Sequence, residues 1–76
     1  YENRLREFVL KQNDVGRVDL LRTRTFGSKI YVDIEIAVDG NKTLREAHDV
    51  AERVHEEVEK NFSEVKHIMI HVNPME

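Results

Sequence analysis

Lys29-Ile30-Tyr31-Val32-Asp33-Ile34-Glu35-Ile36-Ala37-Val38, with the turn and helix start that follow it, decides the fold. Ile30, Val32, Ile34, Ile36 and Val38 share one face of a period-2 strand, and Lys29, Tyr31, Asp33, Glu35 and Ala37 share the other. Asp39-Gly40-Asn41-Lys42 turns the chain. Thr43, with Glu46 three residues on, then has the form of a capping box, in which a hydroxyl and a carboxylate satisfy each other's backbone N–H groups. From there Leu44, Ala47, Ala51, Val54 and Val58 carry a helical apolar stripe down to Phe62.

The segment downstream of this helix is again a strand. Ile68, Ile70 and Val72 alternate with His67, Met69, His71 and Asn73, and Pro74, which cannot donate to a sheet ladder, is predicted to end it. Upstream, Leu5, Phe8 and Val9 make a short helical stripe that Asn13-Asp14-Val15-Gly16 breaks with turn chemistry. A strand follows from about Arg17 to Thr25. Val18 and Leu21 do not share parity, which predicts a bulge near Asp19 and Leu20. Phe26-Gly27-Ser28 is a compact turn closing a hairpin.

The order helix, strand, strand, helix, strand, with one apolar face on each element, predicts a two-layer α+β sandwich. Both helices lie on one side of a mixed three-stranded sheet. The second strand is central, antiparallel to the first, and joined to the third by a right-handed crossover between parallel strands.

Composition narrows the function. Seventy-six residues suffice for one domain with a modest core, a size at which oligomerisation is a common supplement. With no cysteine, disulfides, zinc fingers and iron–sulfur clusters are excluded. Charged residues of both signs make up 36% and the net charge is -3, which gives no electrostatic case for nucleic acid. No apolar run approaches the ~20 residues of a membrane helix, so this stretch is not expected to insert in a bilayer. The start at Tyr1, inside a polar helix, reads as that of a fragment of a longer chain. Enzyme readings do poorly, because the three glycines are isolated in turns and no nucleophile–His–acid motif is present.

Helices on one side of the sheet leave Tyr31, Asp33, Glu35, Met69, His71 and Asn73 on an uncovered face. Such a face is either solvated or covered by a partner, and Tyr and Met are frequent at interfaces. Histidine is the commonest side-chain metal ligand, so the two on the last strand raise a metal hypothesis. His48 and His55, seven apart, lie on one side of the long helix; on spacing alone each is more often a surface residue than a ligand.

Glu46-Ala47-His48-Asp49-Val50-Ala51-Glu52-Arg53-Val54, the amphipathic run to Phe62, and Ile70-His71-Val72-Asn73-Pro74 together resemble the C-terminal cytosolic domain of the cation diffusion facilitator family. Asp19-Leu20-Leu21-Arg22-Thr23-Arg24 and Gly27-Ser28-Lys29-Ile30-Tyr31-Val32-Asp33 look like the first two strands of that domain. The resemblance implies a ferredoxin-like fold lacking one strand. It also implies that residues 1–76 are a single cytosolic, metal-binding regulatory domain of a membrane exporter of zinc or another divalent cation driven by proton antiport, with zinc the first expectation for the bound metal. Such a domain works at the cytoplasmic face of the cell membrane, as a homodimer attached to the transmembrane part of the same chain. The other reading of the same pattern is a free-standing ferredoxin-like module, a sensor or a metal chaperone.

Site residues follow from the resemblance, position by position. His71 matches the family's strand-three histidine and His48 falls where its Glu-Ala-His motif supplies a ligand. Asn73 stands where relatives often carry an acidic ligand, Glu35 where some place a histidine on strand two, and Asp19 where some place one before the Leu-Arg motif. His55 and His67 match no ligand and read as surface and peripheral. Two imidazoles and three oxygen groups are competent for zinc. As a set harder than a histidine-rich one, they also suit manganese, iron or cobalt.

Overall fold

The computed structural model describes residues 1–75. Its elements are α1 (Glu2–Leu10), β1 (Arg17–Phe26), β2 (Lys29–Asp39), α2 (Leu44–Asn61) and β3 (Val65–Met75). The sheet order is β1-β2-β3, with β1 antiparallel and β3 parallel to the central β2. α1 packs over β1 and α2 over β3, and the two helices touch, so one face of the sheet is covered.

The core lies between these layers. Ile34 and Ile36 of β2, Leu5 and Val9 of α1, and Val54 and Val58 of α2 are fully buried. Phe62, just past α2, meets the Phe8 and Tyr1 rings edge-on at centroid separations of 5.2 and 5.9 Å and ties the helices together. The capping box at the start of α2 is present in both directions: Glu46 N–H donates to Thr43 Oγ1 at 3.1 Å and Thr43 N–H to Glu46 Oε1 at 2.8 Å. The apolar stripe runs through Val50, Val54 and Val58, whereas Leu44, predicted to open it, is 88% exposed. Leu44 sits at the first helical position, before the helix meets the sheet. In the α1–β1 loop, Asp14 adopts φ 73°, and Arg53 of α2 holds it there by bonds to Asn13 O and Asp14 Oδ2 at 2.6 and 3.2 Å.

Two register shifts set the positions of the polar side chains. Between β1 and β2 the pairing passes from Val18↔Ile36 to Leu20↔Glu35, leaving Asp19 as the extra residue of the predicted bulge. Between β2 and β3 it passes from Ile30↔Val65 to Tyr31↔His67, so Lys66 has no partner. That second irregularity was not anticipated, and it explains how Val65 and Ile68, of opposite parity, are both buried.

Three expectations need correction. β1 continues to Phe26, which pairs with Lys29, and the hairpin turn is Gly27-Ser28, with Gly27 at φ 62° in the left-handed region. β3 does not stop at Pro74 but runs on to Met75, whose carbonyl accepts from Gly40 N–H at 2.9 Å. Backbone direction alternates along a strand, so Pro74 turns its nitrogen to the open edge of β3, where no hydrogen bond is lost. Ala37, placed on the uncovered face, is nonetheless fully buried, flanked in register by Arg17 and Asn73.

Candidate metal centre

The bulge gives the uncovered face its most connected feature. Asp19 swings onto that face, and the Asn73 side-chain amide donates through Nδ2 to Asp19 Oδ2 and to Glu35 Oε1, both at 3.0 Å. One residue from each strand therefore meets at a single amide nitrogen. Ionised carboxylates only accept hydrogen bonds, so Asn73 must present its NH2 end to them. Arg17 donates to both Asp19 oxygens. The Arg17 guanidinium, and after it the Asn73 amide, hold the Asp19 carboxyl below the usual carboxylate range.

His71 adjoins this group. It is the in-register partner of Glu35 across β2–β3, and its side chain is 59% exposed. Its Nε2 lies 3.8 Å from Asp33 Oδ1, too long for a hydrogen bond. That Asp33 oxygen is buried and has no hydrogen-bond partner at all. Although Arg22 faces Asp33 in register across β1–β2, no ion pair joins them. Asp33 shares this face by strand alternation, two residues from Glu35.

His48 stands apart. It belongs to α2, in the layer on the other side of the sheet, where its Nε2 lies 3.7 Å from Glu52 one turn on. It lines a shallow groove of about 430 Å³ between α2 and β3, with Glu52, His55, Ile68 and Ile70. His67 of β3 also lines that groove, and its ring centroid lies 6.3 Å from that of Tyr31. Of the five predicted ligands, the fold brings Asp19, Glu35 and Asn73 together with His71 beside them, and leaves His48 elsewhere. Among the described residues of one chain, no three His, Asp or Glu side chains stand ready to surround one ion.

A family model described as the cytoplasmic domain of cation efflux proteins matches residues 1–75. The chain belongs to that family. Among curated relatives, the manganese efflux system protein MneP of Bacillus subtilis (strain 168) is 32% identical over 66 residues, covering 87% of this chain and 22% of that protein. Metal tolerance protein C1 of Arabidopsis thaliana is 34% identical over 70 residues, 92% of this chain and 15% of that protein. This cation efflux domain thus spans less than a quarter of the length of the relatives it matches. The solved MamM-CTD structure superposes with a TM-score of 0.92 at 27% identity, covering 96% of this chain and 92% of that one. Structures of MamM CTD variants described as manganese and nickel forms give TM-scores of 0.92 and 0.93. The ferredoxin-like α-β-β-α-β order and the likeness to the cytosolic domain of cation diffusion facilitators are therefore both established.

Proposed function

We propose that this chain is the dimerisation and metal-sensing part of a transporter that exports a divalent cation in exchange for protons. The observation that carries the reading is the uncovered sheet face, on which Asp19, Glu35, His71 and Asn73 converge from all three strands. A face of this kind suits a second copy of the chain, and a small core gains from such a partner. His71 and Glu35 are the central ligands of the proposed site, with Asp19 and Asn73 at its rim. His48, in the helix layer, serves a separate ion or one shared between copies. The residues fit a divalent cation: they supply negative charge and an imidazole on one half-exposed face.

The donors are mostly oxygen, which favours manganese over the zinc suggested by the family likeness. The MneP relative, named for manganese, supports the same preference. Bound metal would shift the population of dimer arrangements only by its difference in affinity between them, and the transmembrane part would read that shift.

Sedimentation of the 76-residue chain, with and without Mn²⁺ or Zn²⁺, tests this reading together with thermal melting. The expected results are a two-fold mass and a metal-dependent rise in Tm. A site present only in the folded state adds about 2.7 kcal/mol when free metal is a hundredfold above its Kd. His71→Ala should remove most of that rise, His48→Ala should reduce it, and His55→Ala should leave it intact. A chain that stays monomeric and melts identically with and without either metal would refute the proposal.

A further inference from the structure

We propose that the tip of the β1–β2 hairpin is a membrane-docking surface, which rests on the anionic headgroups of a lipid bilayer. Phe26 is its apolar anchor, and Arg24, Lys29 and Lys66 supply its charge. This rests on the reading above that the domain is attached to a transmembrane part, and it concerns how the domain sits against the bilayer.

An 11-residue strand such as β2 rises about 35 Å, which only the long axis of the 40 × 18 × 17 Å domain accommodates. The strands therefore run from pole to pole. One pole holds the Gly27-Ser28 turn, the edge-on pair of Tyr1 and Phe62, and the start of β3, brought there by Ile30 N–H donating to Glu64 O. The other holds Asp39, Gly40 and Met75.

Charge divides between these poles, although the chain as a whole carries -3. Arg17, Lys42 and Arg53 pair with Asp19 and Asp14, towards the pole far from the hairpin tip. At the tip Arg24, Lys29 and Lys66 are exposed, and among the described residues none of them forms an ion pair. From Leu20 to Val32 the chain carries three cations and no carboxylate. Of the acids nearby, Glu64 shares this pole. Glu2 is engaged by Thr23, accepting from its N–H at 3.1 Å and its hydroxyl at 2.7 Å.

Ser28, Lys29, Ser63 and Lys66 line one shallow cavity of about 410 Å³, with Glu64 at its side. Lys66 is the residue that β2 skips, so the sheet register does not tie it down. Two ammonium groups and two hydroxyls around one space suit the oxygens of a phosphate. A dissolved phosphate, however, has no use for the aromatic ring beside it. Phe26 is 61% exposed and meets Tyr31 edge-on at 5.3 Å. Gly27, next to it, has open space where a side chain would stand. An apolar ring amid cations fits the boundary of an anionic leaflet, with the ring at headgroup level and the cations among the lipid phosphates. A transmembrane part joined through Tyr1 would hold this pole beside the bilayer, where high effective concentration lets weak contacts count.

Flotation of the 76-residue chain with vesicles of equal parts phosphatidylglycerol and phosphatidylcholine tests the proposal. Binding is expected at low salt, falling as salt rises, and is expected to be absent on phosphatidylcholine alone. Each cation near an anionic surface is worth about fivefold, so Lys29→Gln with Lys66→Gln should weaken binding about 25-fold. Phe26→Ser should weaken it about tenfold, the scale of burying part of an aromatic ring. Arg45→Gln, which removes an exposed charge at the far pole, should change it by less than about twofold. Phe26→Trp places a tryptophan in a chain that has none, and its emission should shift to the blue on the anionic vesicles but not in inorganic phosphate. Equal binding by the wild type and the tip variants moves the contact elsewhere and overturns the proposal. Release of the vesicles by inorganic phosphate at constant ionic strength makes the cavity a soluble-anion site and also overturns it. A chain that is dimeric and responds to metal but does not bind the vesicles overturns the docking surface and leaves the metal-sensing reading standing. Vesicle binding by a chain that stays monomeric and indifferent to metal upholds the surface and removes that reading.

Discussion

Replacing Asn73 by aspartate changes almost no volume and reverses the chemistry of the uncovered face. The Asn73 amide donates to Glu35 Oε1 at 3.0 Å in a half-buried setting. A hydrogen bond to a charged group is worth about 1.5–3 kcal/mol. Its loss therefore removes about 2 kcal/mol from the metal-free protein, and at 4–8 °C per kcal/mol for a domain of this size the Tm should fall by roughly 8–16 °C. The parallel bond to Asp19 lies at the exposed rim, where solvent screening keeps its share small. In addition, Asn73→Asp sets three carboxylates side by side, and like charges raise one another's pKa. Acidic groups with raised folded-state pKa destabilise the fold at high pH and cease to do so once protonated. The deficit should thus be full at pH 7 and shrink as pH falls toward the unfolded value of about 4. Mn²⁺ supplies the missing positive charge and should raise the Tm of the variant by more than that of the wild type. Melting by circular dichroism at pH 7 and pH 4.5, with and without Mn²⁺, reads all of this. A metal-free variant that melts at the wild-type temperature at pH 7 would show that Asn73 does not bridge the strands.

Ile34→Ala empties a fully buried position on the central strand and should cost about 2–5 kcal/mol, read as a lowered urea midpoint at unchanged slope; a loss under about 1 kcal/mol would place Ile34 outside the core. Thr43→Ala removes the hydroxyl of the capping box and should cost about 1 kcal/mol at pH 7. Bonds from the Thr43 backbone and side chain hold the Glu46 carboxyl below its usual range. A depressed pKa stabilises the fold above the unfolded value of about 4, and that gain is lost as pH falls through the folded value. The difference between wild type and Thr43→Ala should therefore narrow in acid, and a difference constant from pH 7 to pH 3 would refute the linkage.

The fold was legible because each element carries its own periodicity. The alternation over Ile30–Val38 and the Thr43/Glu46 cap are local signals, and local signals survive folding when packing agrees with them. The bulge at Asp19 was legible as a break in parity. The second bulge was not, because Lys66 is charged and carries no trace of being skipped by β2. The extension of β3 past Pro74 was equally hidden, since a proline on an edge strand costs nothing only if its nitrogen faces outward, and that depends on register. In the site, the face shared by Glu35, His71 and Asn73 follows from alternation, whereas the surroundings of Asp33 do not. Whether one oxygen of that carboxylate finds a donor depends on the neighbouring strands, and no single stretch of sequence records it.

Asn73 also bears on what a bound cation can accomplish. A ligand moves a conformational equilibrium only by the difference in its affinity for the two states. Where carboxylates on neighbouring strands lack a donor, metal is consumed in holding one protomer's own sheet together, and that part of its binding energy is the same in every dimer arrangement. In this chain the amide already joins Asp19 of β1, Glu35 of β2 and its own strand β3. Asp33 and His71, which are half-exposed and not joined by a hydrogen bond, stand on the open face. On the dimer reading, what approaches is a cation together with a second copy of the same face. More of the cation's binding energy then reports on the relation between protomers, as a sensor of metal requires.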